Sequence, residues 1–287
     1  MESRVPMESL LTSHEAWIRA GAFVGILVLI GMLEAALPRR ARRYPRRTRW
    51  PANLGIVLID TAVLRVAFPL LAVGAALLAE ERGWGLLRLA DVPWWLAWPT
   101  ALLALDLAVY LQHVVFHALP TLWRLHRMHH ADLDFDVTTG LRFHPLEIVI
   151  SMGWKILVIL ALGAPAGAVI LFEVVLNATS MFNHSNLRIP TALDRALRWV
   201  VVTPDMHRVH HSVHPDETNS NFGFNLPWWD RLLGTYRDQP RDGHEGMTIG
   251  LNRFRDASEL RLDRLLLQPF RGDAGGGIND RPSRPRR

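Results

Sequence analysis

The sequence predicts an all-α fold: a polytopic bundle of four to five membrane helices, one pair of them a short hairpin, with a cytoplasmic, histidine-rich helical cap. Three observations carry this expectation. Apolar residues are gathered into blocks that approach the roughly 20 residues needed to cross a bilayer. Arginines crowd the end of the first block, and eight of the 13 histidines fall into three tight clusters, each where an apolar run ends.

The first block runs from about Ala20 to Leu37 and is followed by seven arginines between Arg39 and Arg49. Positive charge beside a membrane segment stays in the cytoplasm, so the N-terminus is expected outside and the arginine loop inside. A cleavable signal peptide would carry its charge ahead of the apolar stretch and a small-residue cleavage site behind it, and neither pattern is seen. The second block, about Leu54 to Ala79, crosses outward and is interrupted by Asp60, Arg65 and Pro69. Glu80 to Val92 then forms an outer loop, with Trp94, Trp95 and Trp98 at the depth of an interfacial aromatic belt. A third block, about Pro93 to Leu119, returns inward carrying His113 and His117 in its last turns. Pro120 breaks that helix and suits the first position of another, so His126, His129 and His130 are expected on a short cytoplasmic helix beginning near Thr121.

Ala131 to Phe143 reads as a solvated connection. Its Asp132-x-Asp134-x-Asp136 spacing matches the start of a calcium loop, but Val137 stands where glycine is required and no glutamate follows at the twelfth position. Leu146 to Asn183 is apolar again and broken at Gly163, Ala164 and Pro165, which leaves two halves suited to a thin or tilted hairpin. Thr203-Pro204-Asp205 is a helix start with an N-cap threonine, proline at the first position and an acid in the first turn, placing His207, His210 and His211 on one helix. The chain thus divides into N-terminal membrane helices (1–101), a histidine-rich di-metal part (102–240) and a polar C-terminal region (241–287). Its tail from about Arg271 lacks apolar residues and is expected to be disordered.

Composition narrows the chemistry. The chain has no cysteine, which excludes disulfides, thiolate-ligated haem, iron–sulfur clusters and cysteine–zinc sites. The net charge of +5 is carried by arginine, with Lys155 the sole lysine. Nucleic acid is not an expected partner, because the main basic run lies beside an apolar helix and not on a folded polar face.

Residues three and four apart share a helical face, so H-x-x-x-H at His113 and His117 and H-x-x-H-H at His126/His129/His130 and His207/His210/His211 should each aim at one point. A single interfacial histidine usually finds an ordinary hydrogen bond, and three clusters at membrane ends ask for more. Imidazole suits iron, copper, zinc and nickel. Structural zinc takes four ligands, so eight clustered histidines plus His184 exceed one such site and fit two metals with four or five ligands each. Copper storage commonly recruits sulfur, and no methionine cluster accompanies these histidines. Asp106 and Tyr110, on nearly the same helical face as His113 and His117, are expected to orient the rings from behind, as is Asp205. Phe222, Phe224, Trp228 and Trp229 are expected to pack the cap. His14, His214 and His244 receive no role.

The ordered set H-x-x-x-H, H-x-x-H-H, Asn183-His184-Ser185-Asn186 and H-x-x-H-H resembles the membrane fatty acid hydroxylase/sterol desaturase superfamily. Arg142-Phe143-His144-Pro145-Leu146-Glu147 and the stretch from Thr203 to Asn225 extend the resemblance, which covers roughly Leu102 to Tyr236. It implies two irons and a reaction in which dioxygen and two electrons hydroxylate or desaturate a lipid, fatty-acyl or sterol-like substrate. The implied ligands are His113, His117, His126, His129, His130, His184, His207, His210 and His211. Some members carry a further histidine where this chain has Ser180. His144 matches a shared motif, but the residue before proline is held extended, so it is read as a neighbour of the ligands that coordinates only occasionally. No flavin, dinucleotide or haem motif is present, so a separate reductase or ferredoxin-type donor is expected. The chain is expected in the cell inner membrane, with its histidines on the cytoplasmic side as the arginine run after the first block requires. Hydroxylation is preferred over desaturation, and a non-catalytic zinc or copper binding or transport protein is the alternative.

Overall fold

In the hydrocarbon of a bilayer every backbone polar group must find its partner within the chain, which leaves the helix as the available form for an apolar run. The computed structural model describes residues 10–272. Five of its segments are helical and apolar enough to cross a membrane: Glu15–Ala36, Arg46–Leu89, Trp94–Ala118, Pro145–Leu162 and Ala166–Asn183. They expose apolar side chains such as Val24, Met32, Leu58, Val66 and Leu157 outward, as a lipid-facing surface requires. No named strand occurs among the described residues, and two isolated bridges, Pro38 with Leu187 and Ser212 with Ile249, tie loops together. The expected disordered tail, apart from Arg271 and Gly272, lies outside the described residues.

Helix α1 is Glu15–Ala36, α2 Arg46–Ala67, α3 Ala72–Arg82 and α4 Trp94–Ala118. Helix α5 is Pro120–His130, α6 Pro145–Leu162 and α7 Ala166–Asn183. Among the shorter helices that follow, α8 is Thr191–Leu197, α9 Pro204–His210 and α10 Leu262–Leu267. The second crossing differs from the sequence expectation in both its start and its continuity. It starts at Arg46, directly after Pro45, so three of the arginines expected in a loop are helical. It also breaks at Phe68–Leu71, around Pro69, which cannot donate to a continuing helix.

Small residues let these helices approach closely. Ala72, Ala75, Ala76, Ala101, Ala166 and Ala168 pack in one buried cluster, the interface composition that favours close helix contact in membranes. At the end away from the histidines, the α6–α7 hairpin turns through Gly163, which caps α6 with φ +68°. A Cβ on Gly85 would lie 2.0 Å from the Gly163 nitrogen. The α3–α4 loop and the hairpin tip therefore meet backbone to backbone, and any side chain at Gly85 would force them apart.

The opposite end is tied by polar contacts. Arg39 N donates to Asn186 O and Arg188 N to Leu37 O, each at 2.8 Å, joining the ends of α1 and α7. Helix α10 closes over α2 and α5 by burying Leu265 with Ile56 and Met128. The connection after α5, expected to be solvated, is instead interior: Asp132, Asp136, Thr138 and Thr139 are fully buried. The cause is Arg49, which the arginine run had placed in a cytoplasmic loop. Its guanidinium, also fully buried, donates to Asp132 at 2.6 and 2.9 Å, Asp136 Oδ2 at 2.6 Å and Thr139 Oγ1 at 2.9 Å. Burial pushes the Asp132 carboxyl up, but Arg49 and Arg142 outweigh it and hold it at about 2.

Removing one member of such a buried network leaves uncompensated charge, at a cost of about 3–5 kcal/mol. Arg49→Ala is expected to destabilise the detergent-solubilised protein by that amount in thermal or denaturant unfolding. Arg49→Lys, which cannot form the same fork, should recover only part of it. Unfolding midpoints unchanged by Arg49→Ala would show that the network contributes nothing.

Candidate metal centre

Each histidine is placed by a local rule. His113 and His117, four apart, share one face of the last turns of α4. Helix α5 starts at Pro120 and carries His126, His129 and His130. His184 caps the C-terminus of α7. Thr203 caps α9 by accepting from Met206 N at 3.3 Å, which sets His207 and His210 in the helix and His211 at its end.

The rings gather into two buried groups: His113, His117, His126, His130 and His210 in one, His129, His184, His207 and His211 in the other. Within each group the candidate ligand atoms lie within 4.8 Å of one another. This differs from the expectation that each cluster aims at one point. Adjacent residues on a helix point about 100° apart, so both H-x-x-H-H motifs are split, each contributing rings to both groups.

The hydrogen bonds behind the rings decide what the front nitrogens need. His113 Nδ1 meets Phe222 O at 2.7 Å, His126 Nδ1 meets Glu147 Oε1 at 2.6 Å and His210 Nδ1 meets Ser220 O at 2.7 Å. Carbonyl and carboxylate oxygens accept, so these three Nδ1 atoms carry the hydrogen and each Nε2 presents a lone pair. Yet His113 Nε2 stands 3.0 Å from His126 Nε2 and 3.1 Å from His210 Nε2. Three lone pairs at that distance repel unless a cation lies among them. In the other group His184 Nδ1 donates to Ser180 O at 2.7 Å, while its Nε2 faces His129 Nε2 and His207 Nε2, both at 3.1 Å. One lone pair cannot serve both. Ligands at right angles around a metal with bonds of about 2.0–2.1 Å stand about 2.8–3.0 Å apart, so the donor set fits metal ions. The buried Nδ1 atoms of His129, His207 and His211, together with His211 Nε2, have no hydrogen-bond partner.

The expected orienting residues lie elsewhere. Asp106 accepts from Trp229 Nε1 at 2.7 Å, and the Tyr110 hydroxyl pairs with Thr235 Oγ1 at 2.8 Å. Both sit earlier on α4 than the histidines and bond to the 219–236 segment instead of the rings. Asp205 is drawn to cations, bonding to Arg208 and to Arg39 at 3.1 Å, with His244 3.6 Å away. His144 caps α6, accepting from Leu146 N and meeting Leu266 O, both at 3.2 Å. It joins neither group. The residue that sequence reasoning missed is Glu147, three positions further on in the same motif, which the first turn of α6 aims at His126. The signal was present as an acid behind a proline helix start, overshadowed by the neighbouring histidine.

Aromatic walls enclose the rings. Phe143 stacks on His129 at 4.6 Å, Phe222 lies 5.0 Å from His117 and 5.4 Å from His113, and Trp123 lies 4.7 Å from His117. Phe222 and Phe224 thus pack the site, whereas Trp229 is held by Asp106 away from the rings and Trp228 is exposed. Gly140 comes so near that a Cβ would lie 2.5 Å from Ser180 O and 3.1 Å from His184 Nδ1. Burial lowers the pKa of the imidazoles: to about 3 for His126 and His184, and well below the usual value for His129, His130, His207, His210 and His211. Neutral rings are the form that binds metal. A cavity of about 280 Å³ opens from His113 and His126 between the spanning helices.

Fold and site together define a polytopic helical membrane protein with buried histidine groups that could hold metal ions. Residues 98–235, just under half of the chain, match the family model described as fatty acid hydroxylase. It is similar to an ornithine lipid hydroxylase, OlsE, of Rhizobium tropici, at 31% identity over 150 residues, covering 50% of this chain and 44% of that protein. It is also similar to alkylglycerol monooxygenase of Xenopus tropicalis, at 30% identity over 175 residues, covering 60% of this chain and 38% of that protein. Human cholesterol 25-hydroxylase is 28% identical over 141 residues, covering 47% and 49%. The chain spans less than half the length of each of these relatives. No solved structure matches it significantly.

The depressed imidazole pKa values set a pH dependence. In the unfolded chain histidine titrates near 6.5, so below that pH the unfolded state binds protons that the folded, metal-free state refuses. Their stabilising contribution is therefore full above about pH 6.5 and falls as pH drops toward the folded values, by up to about 1.4 kcal/mol per pH unit for each such ring. Unfolding midpoints of metal-stripped protein should decline steadily from pH 7 to pH 5. A flat profile would mean that the rings are solvated.

Proposed function

We propose that the chain is a membrane di-iron oxygenase that hydroxylates a lipid, fatty-acyl or sterol-like substrate with dioxygen and two electrons. One observation carries the reading: two adjacent all-imidazole groups, their lone pairs converging at 3.0–3.1 Å, open onto a cavity among spanning helices. His113, His117, His126, His130 and His210 would hold one iron, and His129, His184, His207 and His211 the other. Imidazole suits iron, and the relatives' names, hydroxylase and monooxygenase, favour hydroxylation over desaturation. Bound there, iron supplies the redox chemistry that joins one oxygen atom to carbon and releases the other as water, consuming two electrons and two protons.

The protein's own residues do the rest. Backbone carbonyls of Phe222, Ser220 and Ser180 fix three rings in the Nδ1–H tautomer, and Glu147 does so for His126 while placing negative charge behind a neutral ligand. Phe143, Phe222, Phe224 and Trp123 exclude water from the reacting side. A lipid chain enters laterally and lies in the cavity, with its reacting carbon beside His113 and His126. The electrons come from a separate reductase or ferredoxin-type partner. The arginine-rich loop after α1 supports a histidine end on the cytoplasmic side, in the cell inner membrane.

Protein purified anaerobically should contain about two irons per chain, a number set by the two ligand groups. His129→Ala should lose iron and abolish reductant-dependent oxygen uptake with membrane lipids. Glu147→Ala should weaken iron binding by about 10–100-fold. One tightly held zinc, or metal flux without oxygen uptake, would replace this reading with the binding or transport alternative. The chain lacks cysteine, so single cysteines report topology cleanly: Asn252→Cys should be labelled only after permeabilisation, and Glu81→Cys in intact cells. The reverse pattern would invert the orientation.

A further inference from the structure

The cavity carries more polar groups than a hydrocarbon chain needs. Its far end is formed by Arg19 of α1, Lys155 of α6, and Glu173 and Asn177 of α7. Lys155 lies eight residues beyond Glu147 on the same helix, about 12 Å at 1.5 Å per residue, and Glu147 touches His126. Lys155 Nζ donates to Glu173 Oε1 at 2.6 Å. Arg19 donates to Glu173 Oε2 at 2.7 Å and to Glu15 Oε1 at 2.9 Å. Both Glu173 oxygens are thus occupied, whereas an ammonium with three N–H groups and a guanidinium with five keep donors in reserve. Ionisable residues at membrane depth are costly and mark a site. The Arg19–Glu173 pair alone would fasten α1 to α7, and the chain's sole lysine adds a further donor on the cavity wall.

We propose that Lys155 and Arg19 anchor the hydroxyl group of a long amphiphile, about 12 Å from the carbon that lies beside His113 and His126. This rests on the cavity being the substrate chamber of the oxygenase. The quartet Glu15, Arg19, Lys155 and Glu173 is already balanced in charge, two against two. A hydroxyl oxygen accepts a hydrogen bond there without adding charge, whereas a carboxylate would bring an uncompensated one into low dielectric. Anchoring at one end sets the register of the chain, so oxidation falls at a fixed distance from the substrate's own polar group. Lys155 and Arg19 are positioning residues in this scheme.

The test reads binding, not turnover. On the purified full chain in detergent, without reductant, a photoreactive medium-chain alkanol is displaced by the unlabelled alkanol, the matched n-alkane or the matched fatty acid. The alkanol should compete about tenfold better than the alkane, the worth of one hydrogen bond to a charged donor. Lys155→Met and Arg19→Gln should shrink that preference to about twofold or less and leave alkane competition unchanged. Lys155→Arg, which keeps donors, should retain the preference. Equal competition by alkanol and alkane in the unaltered chain, tighter binding of the fatty acid than of the alkanol, or loss of all ligands in Lys155→Arg as well as Lys155→Met overturns the proposal. A preference found in protein without oxygenase activity would keep the anchor and remove only the reaction, and activity without the preference would do the reverse.

Discussion

The structure depends on a set of lone pairs that cannot coexist without positive charge between them. Phe222 O, Ser220 O and Glu147 take the Nδ1 hydrogens of His113, His210 and His126, and the three Nε2 atoms are then turned toward one another. The arrangement is imposed from behind: acceptors that can only accept fix the tautomers, and the helices fix the distances. Burial completes it by keeping the rings neutral, so the fold presents bare donors and leaves charge neutralisation to whatever they bind.

Holding such a site requires rigidity at the histidine end of the bundle, and charge supplies it. Arg49 reaches from α2 into the connection after α5 and binds Asp132, Asp136 and Thr139, so the chain leaving His130 is fixed to a membrane helix within two residues. Glu34 of α1 accepts from Val137 N and Asn186 N, both at 3.0 Å, which ties the same connection to the segment beyond His184. Two of the three stretches that carry ligands to the four-histidine group are thereby locked to each other and to α1.

Much of this was legible in the sequence, and the gaps have physical causes. The spanning helices follow from block hydropathy, and the α5, α6 and α9 starts follow from Pro120, Pro145 and the Thr203-Pro204 cap, because those signals are local. The split of each H-x-x-H-H motif between two groups follows from helical pitch but needs the third dimension to show which ring joins which. The Asp132–Asp136 loop reads as solvated because three acids in five residues are normally exposed. Its burial depends on Arg49, more than 80 residues earlier in the chain, and no local pattern announces that pairing. Asp106 and Tyr110 share a face with the histidines yet serve Trp229 and Thr235, since facing the right way on α4 does not say what stands opposite.

The two groups are not equivalent, and the asymmetry bears on where chemistry occurs. His113 and His126 of the five-histidine group line the cavity, as do Phe143 and Phe224. Phe143 stacks on His129, and Phe224 lies 5.9 Å from His207, so two rings of the four-histidine group sit behind aromatic side chains. Ser180 donates to Gly140 O at 2.9 Å in a contact with no room for even one added carbon on Gly140. The close approach of α7 to the connection after α5 therefore fixes the smaller group at four rings and leaves the cavity mouth to the larger one, whose His126 is backed by the one carboxylate in direct contact with either group among the described residues. A ring that faces the cavity with an anion behind it is the more electron-rich donor, which sets the side of His113 and His126 apart from the four-histidine group.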